Sequence, residues 1–286
     1  MLEPGIGKRT LCTIVILRRP GHHWPVLLAA NRDEMADRRW KPPGRHWPDL
    51  PQVIAGKDEL ANGSWLGINE SGVVAAVLNR IHTLGPLPGF RSRGELILRA
   101  LRFPDASSAA SALLLLGPRE YRPFNLVVVD ARDGYCLRLR SAGHDRDEPE
   151  RIEMMSLPPG LTMITAFDGN DIRSPRTRRY LPMFQNAAAP EPDHGEWSEW
   201  RSLLAARGYD PDAGPGGAMT VRTDTGFGTV CSSLMALPGE DATATVPIWL
   251  FASGPPDQAP FRPVPLPPEP GAGAKHPIAV NDPPAP

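Results

Sequence analysis

The sequence predicts an α+β chain built on antiparallel strands. Two observations carry that expectation. Runs of β-favouring residues recur in pairs joined by short segments rich in Gly, Pro or Asp, as hairpins are. Segments with helical periodicity come in consecutive pairs, one after the second group of strands and one after the fourth. Antiparallel sheets with helices segregated to their faces are the arrangement that accommodates this order.

The first hairpin is read at residues 13–17 and 26–30, around a turn holding Pro20, Gly21 and Pro25. Both runs are apolar at successive positions, so both faces are expected to be buried. Cys12 opens the first strand, and Asn31-Arg32-Asp33-Glu34 follows the end of the second. Antiparallel pairing brings a thiol, a guanidinium and two carboxylates to one rim. Residues 38–51 carry Trp40, Pro42, Pro43, His46, Trp47, Pro48 and Pro51, too many prolines for a helix interior or a central strand. That loop either covers a pocket or is pinned by its two indoles. Residues 63–69 and 73–79 form a second hairpin about Glu70-Ser71-Gly72.

From Ser92 the period changes. Leu96, Ile97, Ala100 and Leu101 make an apolar stripe, a helix capped by Ser92 and ended by Pro104. Asp105 caps a second helix over 106–116, closed by Gly117-Pro118. Strands follow at 124–129 and 135–140, then at 161–167. Asn125 is a lone polar residue in an apolar strand, either a structural hydrogen-bonder or an oxyanion-type donor. Ser174-Pro175 opens a helix over 176–184, and another lies near 197–206. Residues 228–237 and 245–252 close the pattern as a hairpin.

Composition narrows the function classes. With 31 basic and 32 acidic residues among 286, the net charge of -1 leaves no electrostatic footprint for nucleic acid. Three cysteines, Cys12, Cys136 and Cys231, are too few for a disulfide framework, and no CxxC pair suggests zinc, so no metal is expected. A reducing, cytoplasmic setting fits them. The N-terminal apolar run is cut off by Arg18 and Arg19, far short of a membrane span. Many of the 35 prolines follow Gly254, and residues 254–286 read as an extended or disordered tail.

Cys-Thr-Ile-Val from Cys12, followed by Leu-Ala-Ala-Asn-Arg-Asp-Glu ending at Glu34, resembles the NRDE proteins, the transport and Golgi organisation family. Gly63-Ser64-Trp65-Leu66-Gly67, Val77-Leu78-Asn79-Arg80, Ser92-Arg93-Gly94-Glu95-Leu96 and Phe124-Asn125-Leu126-Val127 match it in the same order. The resemblance covers roughly residues 12–250. That family is similar in turn to the N-terminal-nucleophile cysteine amidases that cleave penicillin V and conjugated bile salts. The resemblance implies a four-layer αββα sandwich over residues 12–253. It also implies a hydrolase acting on an amide, ester or thioester of a small acyl compound, without a cofactor.

In such enzymes the cysteine must begin the chain. A free α-amine, with pKa about 7.7–8, accepts the thiol proton near neutrality, whereas an amide nitrogen does not. Residues 1–11 are therefore expected to be a leader that is removed, or a start placed too early. Initiation at Leu11, read as Met in bacteria and then removed, would expose Cys12. Without that, Cys12 is a small buried hydrophobe. By resemblance Arg32 lowers the thiol pKa and Asp33 holds the α-ammonium, while Asn79 and Asn125 polarise the scissile carbonyl. Asn31, Glu34, Trp65 and Arg80 are the expected ligand contacts. The family tends to show Arg after Gly-Thr, where this chain has Val230; Arg222 lies upstream, and no residue is assigned that late role.

A second reading is a non-catalytic carrier of haem or an acyl lipid, which the family's animal members suggest. Haem would need an axial ligand such as His22, His23, His46 or Cys12 in an apolar pocket. The substrate and the oligomeric state are not legible in the residues.

Overall fold

The structure is a computed structural model of the chain, and it describes residues 12–83, 85–140, 151–240 and 245–266. The expected leader therefore lies outside the described residues, as does most of the tail.

The strands and helices, in chain order, are β1 (Thr13–Arg18), β2 (Val26–Met35), β3 (Trp40–Gly44), β4 (Val53–Asp58), β5 (Leu66–Asn69), β6 (Val74–Asn79), α1 (Gly94–Ala100), α2 (Ala106–Leu113), β7 (Phe124–Val129), β8 (Gly134–Leu139), β9 (Ile152–Ser156), β10 (Gly160–Ile164), α3 (Pro175–Asn186), α4 (Ser198–Leu204), β11 (Phe227–Leu237), β12 (Ile248–Ala252) and β13 (Arg262–Pro263). They form two antiparallel sheets. One runs β10-β1-β2-β11-β12-β13 and the other β3-β4-β5-β6-β7-β8-β9.

Three apolar cores show the layering. Ile14, Ile16 and Leu28 of the first sheet meet Ile54, Val74 and Val127 of the second in the middle core. Residues one position along the same strands, Val15, Leu27 and Ala29, face Tyr180, Phe184 and Trp200 of α3 and α4. On the opposite side Val53, Ala75 and Val128 face Leu96, Ile97 and Ala109 of α1 and α2. The period-2 alternation of each strand thus sends one face to the other sheet and one to a helix pair. The result is an αββα sandwich, and the runs apolar on both faces are its central strands.

The capping signals act as expected at two helices. The Asp105 carboxylate accepts the Ser108 N–H at 2.7 Å, and Ser174 Oγ accepts the Thr177 N–H at 3.2 Å. At α1 the boundary falls at Arg93, and Ser92 Oγ accepts the Gly94 N–H.

Four expectations are corrected. The tetrapeptide does not follow the second strand; β2 runs on through it to Met35, because β11 pairs with that extension beyond the end of β1. The proline-rich loop contains β3, tolerated because it is an edge strand whose register shifts between Lys41 and Gly44. Its indoles pin it: Trp40 packs edge-on to Trp65 and Phe251, and Trp47 joins the outer core. The strands β4 and β9 lie in stretches with no expected element. Finally, Arg262–Pro263 of the tail pairs with β12 at the sheet edge.

Candidate active site

Alternation along β2 sorts the tetrapeptide. Arg32 points between the sheets, whereas Asn31 and Asp33 point to the helix side. Asn31 is buried and fully engaged: its Nδ2 donates to Leu204 O and Met219 O at 3.0 and 2.9 Å, and its Oδ1 accepts from Ser232 Oγ at 2.6 Å. It ties α4 to the sheet, and both ends of its amide are occupied by these bonds.

Asp33 lies against Arg176 of α3, with Oδ2 and Nη2 2.9 Å apart and both side chains fully buried. Thr229 Oγ1 donates to Asp33 Oδ1 at 2.7 Å, and Arg176 Nη1 donates to Thr13 Oγ1 at 2.5 Å. Burial pushes the Asp33 carboxyl up from its ordinary range, and Arg176 and the Thr229 hydroxyl pull it back.

Arg32 is 5 % exposed, and its guanidinium stacks 4.3 Å over the Trp65 ring. Its Nη2 donates to Asp58 Oδ2 at 3.3 Å, and Arg38 Nε donates to the same oxygen at 2.7 Å. Asp58 is fixed in turn by the Leu60 and Ala61 N–H groups, both 3.0 Å from its Oδ1. Glu34 lies 3.9 Å from Arg32 and 3.5 Å from Arg38. Among the described residues, Arg32 Nη1 has no hydrogen-bond acceptor.

Cys12 lies beside this group, its Sγ 3.7 Å from the Asp33 carbonyl oxygen. Burial, reinforced by the Asp33 charge, pushes the thiol up to about 11; the hydrogen bond to Asp33 O and the Arg32 charge act the other way without prevailing. Arg32 thus acts on the thiol in the expected direction, and burial outweighs it. A thiol so placed is almost wholly protonated at neutrality and needs a base.

Cys12 opens onto a cleft of about 440 Å³. Arg32, Glu34, Asp58, Trp65 and Asn79 line it, together with Arg91, Arg93 and Arg122 from the segments around α1 and before β7. Asn79 is half-buried at the end of β6. Asn125 and Arg80 are absent from the lining. Asn125 Nδ2 donates to Thr165 O and Phe167 O at 2.9 and 2.7 Å, while Arg80 Nη1 donates to Asn125 Oδ1 at 2.6 Å and to Asp168 at 2.8 Å. These bonds clip the two sheets together and engage both ends of the Asn125 amide. The histidines also lie elsewhere: His22 Nδ1 accepts the Trp24 N–H, His23 is 3.7 Å from Asp193, and His46 contacts Pro42 O. No group of residues suited to a metal ion occurs among the described residues. Arg222 donates to Asp257 at 2.8 Å, and Val230 is the extra residue of a bulge between Thr229 and Cys231.

Glycines seat the stacked pair. A Cβ on Gly56 of β4 would lie 2.3 Å from the Trp65 ring, and one on Gly63 would lie 2.6 Å from the Gly94 backbone. Gly56→Ala is expected to destabilise the fold by about 1–3 kcal/mol by overpacking. Urea midpoints of Gly56→Ala and of Gly56→Ala/Trp65→Leu test this: the second change should recover part of the loss, and an unchanged midpoint in the single variant would refute the clash.

A layered αββα sandwich with a cysteine at the head of a central strand, facing an arginine-rich cleft, is the class of protein this fold and site define. The chain belongs to the Transport and Golgi organisation 2 family, whose model matches residues 11–165. It is 29 % identical over 140 residues to the mouse Transport and Golgi organization 2 homolog; the match takes in 48 % of this chain and 50 % of that relative, about half the length of each. Among solved structures it is similar to a Caenorhabditis elegans N-acylethanolamine-hydrolyzing acid amidase ortholog. That pair has TM-score 0.49 and 13 % identity, covering 89 % of this chain and 100 % of the other. It is also similar to a mutant of the conjugated bile acid hydrolase from Clostridium perfringens, with TM-score 0.47, 10 % identity and 93 % and 99 % coverage. The layering stands on this chain's own strand pairings and cores. No helix among the described residues is long and apolar enough to cross a membrane.

Proposed function

We propose that this protein is a cysteine hydrolase of the N-terminal-nucleophile type, acting on an amide, ester or thioester of a small acyl compound when Cys12 begins the chain. The observation that carries the reading is the Cys12 thiol at a cleft of about 440 Å³, beside the buried Arg32 whose Nη1 has no acceptor among the described residues. With Cys12 first, its α-amine takes the thiol proton. The thiolate attacks the carbonyl carbon, and the carbon–sulfur bond forms as the carbonyl π pair moves to oxygen. Asn79 and Arg32 Nη1 are the donors for that oxyanion, a role worth roughly 3–4 kcal/mol of barrier per donor. Collapse expels the amine, alcohol or thiol, which leaves with the proton held by the ammonium where it needs one. Water then attacks the acyl-cysteine, and a carboxylic acid and the thiol are regenerated. Asp33 holds the α-ammonium, through the carboxylate oxygen that Arg176 also faces.

The test uses a fusion cut immediately before Cys12, incubated with octanoyl amide, ester and thioester probes. Octanoate release, and an octanoyl adduct on Cys12 by intact mass, are expected; Cys12→Ala should lose both. Neither product nor adduct from the Cys12-first chain would refute the reading.

A further inference from the structure

Among the described residues the cleft is lined by five arginines, and their pairing is uneven. Arg32 and Arg38 share Asp58, and Arg91 meets Glu95 at 2.8 Å and Glu120 at 3.0 Å. Arg93 differs. Its Nη1 donates to Thr83 Oγ1 at 2.9 Å and Pro123 O at 3.0 Å, and its Nη2 donates to Thr83 O at 2.9 Å. All three acceptors are neutral, and no carboxylate of the described residues forms an ion pair with it. A guanidinium has five N–H groups, so the Nε–H and one Nη2–H remain for a ligand.

A half-buried cation among neutral oxygens bears a desolvation cost that an anion would offset. Burial, followed by the charge of Arg122, pulls Arg93 down to about 10, the direction an uncompensated cation takes. Arg122 donates to Gly85 O at 2.7 Å and His82 O at 3.3 Å, and it adds a second positive charge to the cleft wall. The remaining lining includes apolar surface from Trp65, Val77, Leu87 and Phe90.

We propose that Arg93, with Arg122 beside it, recognises an acidic group, carboxylate or phosphate, on an amphipathic acyl ligand whose apolar part lies along the cleft. The proposal rests on the hydrolase reading only for placing the ligand's carbonyl at Cys12. Arginine suits the task because its planar fork grips either oxyanion bidentately.

Calorimetric titration of the full chain carrying Cys12→Ala separates the possibilities, using N-octanoylglycine, octyl phosphate and neutral N-octanoylglycinamide at pH 7.5. At least one anion should bind ten-fold or more tightly than the neutral amide, and which one does so names the acidic group. Arg93→Gln should erase that preference, and Arg93→Lys should restore part of it. The comparison of anion with amide in the Arg93 parent decides the matter even where a variant folds poorly. Equal affinities, or no binding by any of the three, overturn the proposal. A Cys12-first chain that cleaves none of its probes while the binding preference holds loses the hydrolase reading and keeps the anion site. Cleavage without the preference does the reverse.

Discussion

Replacing Arg176 by methionine is expected to lower the free energy of unfolding by about 3–5 kcal/mol, the usual cost of removing one partner of a buried ion pair. Arg176 and Asp33 are wholly buried at 2.9 Å, on the helix side of the strand that also carries Arg32. Without the guanidinium, the Asp33 carboxylate keeps, among the described residues, the Thr229 hydroxyl as its compensating partner. Its pKa, already raised by burial, then rises further, since the Arg176 charge is the largest influence holding it down. For an acid whose folded pKa lies above its unfolded one, the folded state binds more protons, and stability falls as pH rises through that interval. The deficit of Arg176→Met relative to the parent should therefore be greatest at neutral pH and shrink towards acid. Arg176→Met/Asp33→Asn should recover part of the loss, a coupling that a double-mutant cycle in urea measures directly. A single-variant loss below about 1 kcal/mol, or one independent of pH, would contradict the role assigned to this pair.

Much of the architecture was legible because it rests on local signals. Val15 and Ile16, or Leu27 and Leu28, are neighbours in sequence and face different cores, which is why doubly apolar runs marked the central strands. Asp105 and Ser174 marked helix starts through the bonds they make. The site was legible in part: Cys12, Arg32, Asp33 and Glu34 are brought together by one hairpin. The reading failed where a side chain's direction mattered. Placing the tetrapeptide after the strand hid the alternation that turns Asp33 away from Arg32. Asp58, which clamps Arg32 and Arg38, stands at the end of a strand with no periodic signal. Arg176 reaches Asp33 across many intervening residues, so only the assembled sandwich reveals the pair. Arg93 was within a matching segment, Ser92-Arg93-Gly94-Glu95, yet nothing local distinguishes a helix-boundary arginine from one facing a cleft.

The largest kinetic effect is expected at Cys12 itself. With a residue still attached before it, the thiol at about 11 should react with iodoacetamide at pH 7.5 on the order of a hundred-fold more slowly than an ordinary thiol of pKa about 8.5. Its rate should climb about ten-fold per pH unit until the inflection near 11. Cutting the chain immediately before Cys12 places an amine of pKa about 7.7–8 next to the thiol. Transfer of the proton then yields a thiolate and an ammonium, and the Asp33 charge, which opposes a lone thiolate, stabilises the ammonium instead. The inflection should move several units towards neutrality. Peptide mass spectrometry assigns the label to Cys12 rather than to the buried Cys136 and Cys231. The comparison isolates the base: Arg32, Asp58 and the cleft are common to both chains, so a shift between them comes from the free amine. An inflection near 11 in both chains would leave the thiol without a proton acceptor and remove the covalent step on which hydrolysis depends.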